Sequence, residues 1–311
     1  MHPALSVIIF STASGAGYGL LGLLGILTPL GVLPQDRAFG FVALALALGA
    51  ITVGLLASLF HLGHRERAWR AFSQWRSSWL SREGVAAVAT YLPAGLFGIL
   101  WIFLGKISAI AGGLAALGAI VTVCCTAMIY RSLKPVPRWH NGWVLPIYLL
   151  AALMSGSLWL ALILQFFGPQ RAISELAAGA IAMTAIAKLG YWRFIDGESA
   201  TSTAGSATGL GGLGAVRLFE SPHTSQNYLL KEMGFQIARK HAAKLRRIAL
   251  LAGFGLPFLL SIVPLVASGW LAVVAACLAA PLGMFGIFVE RWLFFAEAKH
   301  AVTLYYGEAT V

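Results

Sequence analysis

Apolar and polar positions along this chain alternate in blocks of about twenty residues, not with the period of two or four that builds a soluble sheet or surface helix. Stretches between charges give eight candidate helices, at about 4–31, 39–62, 84–106, 109–131, 143–167, 173–194, 248–267 and 269–292. Each can cross a ~30 Å hydrocarbon core at about 1.5 Å per residue. Pro93, Pro257, Pro264 and Pro281 fall inside these stretches; neighbouring helices in a bilayer can satisfy the backbone groups that proline frees. The pattern predicts an all-α polytopic membrane protein: a bundle of eight transmembrane helices forming one integral membrane domain over residues 1–311, with a long loop at about 195–247.

Composition sharpens this picture. Only 11% of the 311 residues are charged and the mean hydropathy is +0.82, whereas a soluble domain carries about 25% charged residues. The net charge of +11 raises nucleic acid as a partner, but the basic residues form no continuous patch with interleaved aromatic platforms, so no nucleic acid is expected. Of the 22 Lys and Arg residues, only Arg37, Lys106 and Arg171 lie in the first, third, fifth and seventh loops. The rest lie in or beside the second, fourth and sixth loops and the C-terminal tail, which predicts that these loops and both termini face the cytoplasm of a bacterial inner membrane. Cys124, Cys125 and Cys277 all sit in apolar runs and read as small core residues. The start, MHPALSVIIF, lacks the basic n-region of a cleavable signal and reads as a retained first helix.

Two segments break the apolar rhythm differently. In the sixth loop, DGESATSTAGSATGLGGLG reads as a flexible linker. It precedes SQNYLLKEMGFQIARKHAAKLRR, where Leu230, Met233, Ile237 and Leu245 recur at near-helical intervals between basic residues; this helix would lie on the membrane surface or against a partner subunit. In the first helix, STASGAGYG (Ser11 to Gly19) is small at almost every position. Close helix packing explains it, and a smooth wall beside a flat ligand is the alternative.

Candidate chemistry concentrates in SLFHLGHRERAWRAFSQWRSSWLSREG, Ser58 to Gly84, with five Arg, two Glu, two His and three Trp. His61 closes the predicted second helix and Glu83 opens the third, which sets an imidazole and a carboxylate at interface depth. Trp69, Trp75 and Trp79 suit the headgroup region. Ionisable groups at that depth are costly unless paired or used. His61 and Glu83 read either as an ion pair or helix cap, or as a proton-handling pair for a lipid-soluble redox carrier. The loop arginines serve topology, or dock an acidic soluble subunit. A second cluster, FVERWLFFAEAKH, places Glu290 and Arg291 at the same predicted level, as a salt bridge or as further lining of the cavity. Haem is not expected, since only His61 of the seven histidines is predicted to be helix-embedded. A secondary transporter is the competing class, but Glu175, Lys188 and Gln165 lie near enough to predicted helix ends to snorkel, not at the midplane where transporters bind.

HPALSVIIFSTASGAGYG, the Ser58–Gly84 stretch, RWHNGW and ERWLFFAEAKH together resemble the membrane anchor subunit of dimethyl sulfoxide reductase, including relatives that anchor cytoplasm-facing sulfite dehydrogenases. The resemblance implies a haem-free anchor of a molybdopterin oxidoreductase, exchanging electrons and protons with the membrane quinone pool, menaquinone or ubiquinone. Its implied partners are an iron-sulfur subunit with four 4Fe-4S clusters and a molybdopterin catalytic subunit, which would hold all of those cofactors. The family's quinol-handling histidine, followed by Leu-Gly, falls on His61, and its carboxylate falls on Glu83. Trp79, Arg82, Glu290 and Arg291 would shape the quinone pocket, with no metal bound by this chain. The long sixth loop resembles the sulfite-oxidising forms.

Overall fold

The computed structural model describes residues 5–60, 64–198, 202–220, 236–308 and 310–311. Among them, eight helices are long and apolar enough to cross a membrane: α1 (Leu5–Leu27), α2 (Arg37–Leu59), α3 (Trp79–Phe103), α4 (Ala109–Arg131), α5 (Val144–Phe167), α6 (Arg171–Gly197), α7 (Ala242–Val266) and α8 (Trp270–Ala296). The expected all-α bundle is the observed one. An even number of spans returns the chain to the side on which it began.

Helix α1 is the hub, packing against α2, α4, α5 and α8, while α3 leans on α4 and α7 on α8. Its small residues explain how one helix meets so many neighbours. A Cβ added at Gly19 would stand 1.8 Å from the Ala152 carbonyl oxygen on α5, and one at Gly156 would stand 2.3 Å from the Gly19 backbone. Backbone therefore meets backbone at this crossing, the geometry small residues permit in lipid. Gly253 of α7 and Gly286 of α8 repeat the device, with a Cβ at Gly286 placed 1.8 Å from the Gly253 Cα. Larger side chains fill the remaining interior, among them Leu20, Leu21, Leu24, Phe39, Phe97 and Trp101.

Helix ends are managed at both faces. Asp36 accepts from the Ala38 and Phe39 N–H groups at 2.9 and 3.0 Å at the start of α2, and Ser108 accepts from Ala111 at 3.2 Å at the start of α4, satisfying donors a helix start leaves over. The last carbonyls of α8 receive donors from distant loops: Trp139 Nε1 to Phe294 O at 2.9 Å, Arg239 Nε to Ala296 O at 2.7 Å, and Arg138 Nη1 to Glu297 O at 2.7 Å. Cationic donors at a helix C-terminus also complement its dipole. In α7, residues Ala249–Gly255 form a π-helical stretch just before Pro257. The proline ring cannot donate to the preceding turn, and the wider turn accommodates it.

Three boundary expectations are corrected. Helix α3 begins at Trp79, not near Glu83, so Arg82 and Glu83 lie within the helix. Within the predicted sixth-loop helix, Gln236–Lys240 is a short separate helix, but the basic residues from Lys244 to Arg247 are continuous with α7, where Arg246 finds carboxylates: Asp196 at 2.6 and 2.9 Å and Glu297 at 2.7 Å. The glycine-rich segment expected as a flexible linker carries a short helix, Ala204–Thr208, held by a reciprocal capping box between Thr203 and Ser206. Thr203 pairs with Thr310 in an isolated β-bridge, and Ser202 exchanges backbone hydrogen bonds with Val311 at 3.2 and 3.0 Å. The N-terminal part of the predicted amphipathic helix, with Leu230 and Met233, lies outside the described residues.

The α1–α5 crossing predicts a sharp asymmetry among glycine substitutions. Gly156→Val forces a side chain into backbone and should destabilise the detergent-solubilised protein by about 1–3 kcal/mol, read as a lower thermal midpoint. Gly179→Ala, where an added Cβ meets nothing within 4 Å, should leave that midpoint unchanged or raised.

Candidate functional site

Ionisable side chains are buried within the bundle toward the end where α2, α4, α6 and α8 finish. Glu83 is 5% exposed, Lys188 1%, Glu290 3% and Arg291 2%. Glu83 stands on α3 about 6 Å past its first residue, by the helical rise, and faces α4. Thr126 Oγ1 donates a short hydrogen bond to its Oε1. That same hydroxyl lies 3.0 Å from the Thr122 carbonyl oxygen. One hydroxyl hydrogen cannot fully serve both acceptors, so Thr126 has two settings. It donates to Glu83 when the carboxyl is ionised; when Glu83 is protonated, the acid donates to Thr126 and the hydroxyl turns to Thr122. The environment therefore offers a hydrogen bond to either protonation state.

On the opposite flank, Lys188 Nζ of α6 meets Glu290 Oε1 of α8 at 2.5 Å, and Arg291 Nε lies 3.6 Å from Glu290 Oε2. The second contact is too long for a hydrogen bond. Lys188 also sits 4.1 Å from the Tyr191 ring centre, and the Arg291 guanidinium carbon 3.6 Å from the Tyr148 ring centre, so aromatic faces cover cations that water cannot reach. Two cations against one carboxylate leave this trio with an excess positive charge. Such a group stays buried only because its members face one another and the rings.

Between the flanks lies a chamber of about 10 Å³, lined by Thr12, Ser14, Gly15 and Tyr18 of α1, Val123 and Thr126 of α4, Tyr148, Ala151 and Ser155 of α5, and Ile287 and Arg291 of α8. The Thr12 and Tyr148 hydroxyls and Arg291 Nε and Nη1 make no hydrogen bond among the described residues. Tyr18 places its hydroxyl beside Thr122 without well-aligned geometry. An apolar crevice of about 120 Å³ adjoins it, sharing Tyr18, Val123 and Ala152. On the outer face of α3 and α4, a wider groove of about 720 Å³ runs from Ala86 and Thr90 past Pro93 and Leu96, opposite Leu114, Gly118 and Val121.

The predicted site residues thus separate into groups. Glu83 faces the interior of the α3–α4 contact, while Glu290 and Arg291 stand on the α8 flank. Trp79 and Arg82 turn to the second loop: the Arg82 guanidinium carbon lies 4.3 Å from the Trp79 ring centre, and Arg82 Nε and Nη2 donate to the Trp75 and Arg76 carbonyls at 3.0 and 2.7 Å. They brace the start of α3 and are not among the chamber's lining residues. His61 lies outside the described residues. Lys188, expected to snorkel, instead pairs across to Glu290. Glu175 behaves as a surface residue, bonded to Arg171 at 2.9 Å, and the Gln165 amide donates back to Ala161 O at 3.4 Å. Thr126 and Tyr148 carried no signal in the sequence reading, and Thr12 entered it only as part of the small-residue segment of α1.

A family profile described as "DMSO reductase anchor subunit (DmsC)" matches residues 1–210, which carry α1 to α6. The chain belongs to the DMSO reductase anchor subunit family. This anchor is 30% identical, over 98% of its length and 99% of the relative's, to the C subunit of sulfite dehydrogenase from Allochromatium vinosum. It is 34% identical to the YnfH chain of anaerobic dimethyl sulfoxide reductase from Escherichia coli, over 36% of this protein and 40% of that one. A further Escherichia coli relative, the C polypeptide of anaerobic dimethyl sulfoxide reductase, is 28% identical over 53% of this protein and 58% of its own length. Family membership and eight spanning helices make the anchor a multi-pass membrane protein.

The ion pair generates a prediction about the anchor's stability. Lys188→Met strands a buried carboxylate and should cost about 3–5 kcal/mol. The double variant K188M/E290M replaces the pair by apolar side chains and should recover most of that loss, measured as thermal midpoints in one detergent.

Proposed function

We propose that this anchor is the quinone-reactive membrane subunit of a molybdopterin oxidoreductase complex. Electrons pass between quinone or quinol, menaquinone or ubiquinone, in the bilayer and an iron-sulfur partner with four 4Fe-4S clusters. That partner in turn serves a molybdopterin catalytic subunit. Similarity along nearly the whole length of a sulfite dehydrogenase subunit, against partial coverage of the two sulfoxide reductase chains, favours the sulfite dehydrogenase branch. The complex sits in the bacterial inner membrane with both termini and the arginine-rich second loop cytoplasmic. Exposed Arg67, Arg70 and Arg76 on that loop give the iron-sulfur subunit a positive face to dock on.

The observation that carries this reading is Glu83: a carboxyl group buried at the α3–α4 contact, with Thr126 as its hydrogen-bond donor among the described residues, positioned to exchange a proton. Quinol oxidation releases two protons with its two electrons, and quinone reduction takes up the same number. A group within reach of a quinol hydroxyl must accept or supply them. Glu83 fills that role, with His61 assigned the other proton on the family resemblance. The outer groove, whose lining begins one turn beyond Glu83 at Ala86, is of the size and apolarity that suits a prenyl tail. Arg291 and Glu290 set the electrostatics of the inner flank, and Trp79 and Arg82 hold α3 in place.

Glu83→Gln keeps size and hydrogen-bonding shape but cannot take a proton. In the assembled complex it should slow turnover with a soluble quinol analogue by about 10²-fold or more. Electron transfer between a viologen dye and the catalytic subunit should be unaffected. Equal quinol turnover in the variant and the unmodified complex would contradict the assignment.

A further inference from the structure

On the side of the membrane where the second loop and the C-terminal tail lie, residues 202–220 and the tail fold into one module that the quinone site does not use. Ser202 and Val311 exchange backbone hydrogen bonds at 3.2 and 3.0 Å, Thr203 bridges to Thr310, and the Tyr305 hydroxyl donates to the Ala207 carbonyl at 3.1 Å. The chain turns back on itself within the module. A Cβ added at Gly205 would stand 3.0 Å from the Gly211 Cα, and one at Gly307 would stand 3.6 Å from the Leu218 side chain. The tail is tied in turn to the bundle: Ala301 N donates to the Pro135 carbonyl at 2.9 Å, and Arg239 donates to the Ala298 carbonyl at 2.6 Å.

This framework holds apolar side chains in the open. Leu213 is 88% and Phe219 100% exposed, and Leu210, Leu218 and Tyr305 are about half exposed. Lipid explains such residues on a spanning helix, but residues 202–220 lie between α6 and α7, outside both spans. The backbone pairings fix the segment that carries them, and a surface ordered beforehand loses less entropy when it binds. A membrane surface is a poor match for it. Interfacial segments are amphipathic helices rich in Lys and Arg with Trp on the other face; residues 202–220 hold one cation, Arg217, no Trp, and no helix longer than five residues. A soluble protein matches better, because the centre of a protein interface is apolar, aromatic and poor in charge.

The extent of the family likeness points the same way. The anchor-family profile ends at residue 210, before Leu213, Leu218, Phe219 and the whole tail. Likeness to the sulfite dehydrogenase C subunit, over 98% of the chain, continues through residues 213–219. The module thus lies outside what the profile describes and inside what that relative shares. We propose that it is a docking surface for the iron-sulfur subunit, with Leu213 and Phe219 as the side chains that enter apolar pockets on that subunit. This rests on the quinone-anchor reading, which supplies the partner. The arginine-rich second loop, on the same side, steers the encounter by charge; the module gives the contact its apolar centre.

Photocrosslinking in the assembled complex tests this. Benzoylphenylalanine placed at position 213 or 219 should crosslink to the iron-sulfur subunit, and the same label at Leu92, 77% exposed on the outer groove, gives the background. The double variant Leu213→Asp, Phe219→Asp should keep the anchor's thermal midpoint and lower the iron-sulfur subunit recovered with the tagged anchor by roughly tenfold or more. Crosslinks only to lipid, to a second copy of the anchor or to the catalytic subunit, or none above background, would overturn the docking surface. Full recovery of the iron-sulfur subunit with the double variant would overturn it as well. Should the double variant fail to fold, the crosslinks decide. The quinone site is tested separately, since Glu83→Gln should retain both crosslinks. An unmodified anchor that recovers no iron-sulfur subunit would overturn both readings.

Discussion

Burial of charge inside an apolar bundle is the constraint on which the rest of this structure depends. Lys188, Glu290 and Arg291 are almost fully withdrawn from solvent, and a lone ion there would be neutralised or excluded. They persist because α5, α6 and α8 are held in a register that puts ammonium against carboxylate at 2.5 Å and guanidinium against the Tyr148 ring. That register needs α1 to run close to α5, which Gly19 and Gly156 permit, and needs the end of α8 fixed, which Trp139, Arg138 and Arg239 accomplish from the fourth and sixth loops. Loops that look dispensable in sequence thus act as clamps on the helix that carries the charged trio.

The same burial creates the chemistry. A carboxyl in water titrates without consequence, whereas the proton exchange proposed for Glu83, enclosed beside Thr126, is confined to what the bundle presents to it. The two acceptors in reach of the Thr126 hydroxyl give that exchange a built-in switch. Hydroxyls, an arginine and small residues of α1 continue the polar interior away from Glu83, while the outer groove beside it is apolar. An amphipathic substrate with a redox ring and a prenyl tail fits such a division.

Much of the architecture was legible in the sequence because a bilayer leaves few options: long uncharged runs must be helices, and all eight were found near their observed positions. The misplaced start of α3 has a local cause. Trp79 and Arg82 read as loop by charge, yet Arg82 spends its donors on the Trp75 and Arg76 carbonyls and stacks on Trp79, which lets the helix begin earlier and carries Glu83 inward. Lys188 was misread because a single lysine six residues from the predicted helix end at 194 reads as one that snorkels. Its partner is 102 residues away, and nothing local in either helix announces the pair. The STASGAGYG segment serves close packing, as one of its two readings expected: Gly17 and Gly19 pack against α2 and α5, and Thr12, Ser14 and Tyr18 of the same segment line the small chamber.

The central claim is that a quinone ring docks where Glu83 and Thr126 meet. Photolabelling of the purified complex with an azido-substituted quinone, followed by peptide mapping, tests it most directly. The account predicts labelling of α3 within residues 79–98 and of α4 within residues 109–131, abolished by excess unlabelled quinone. Labelling confined to other helices, or unchanged by the competitor, would contradict it.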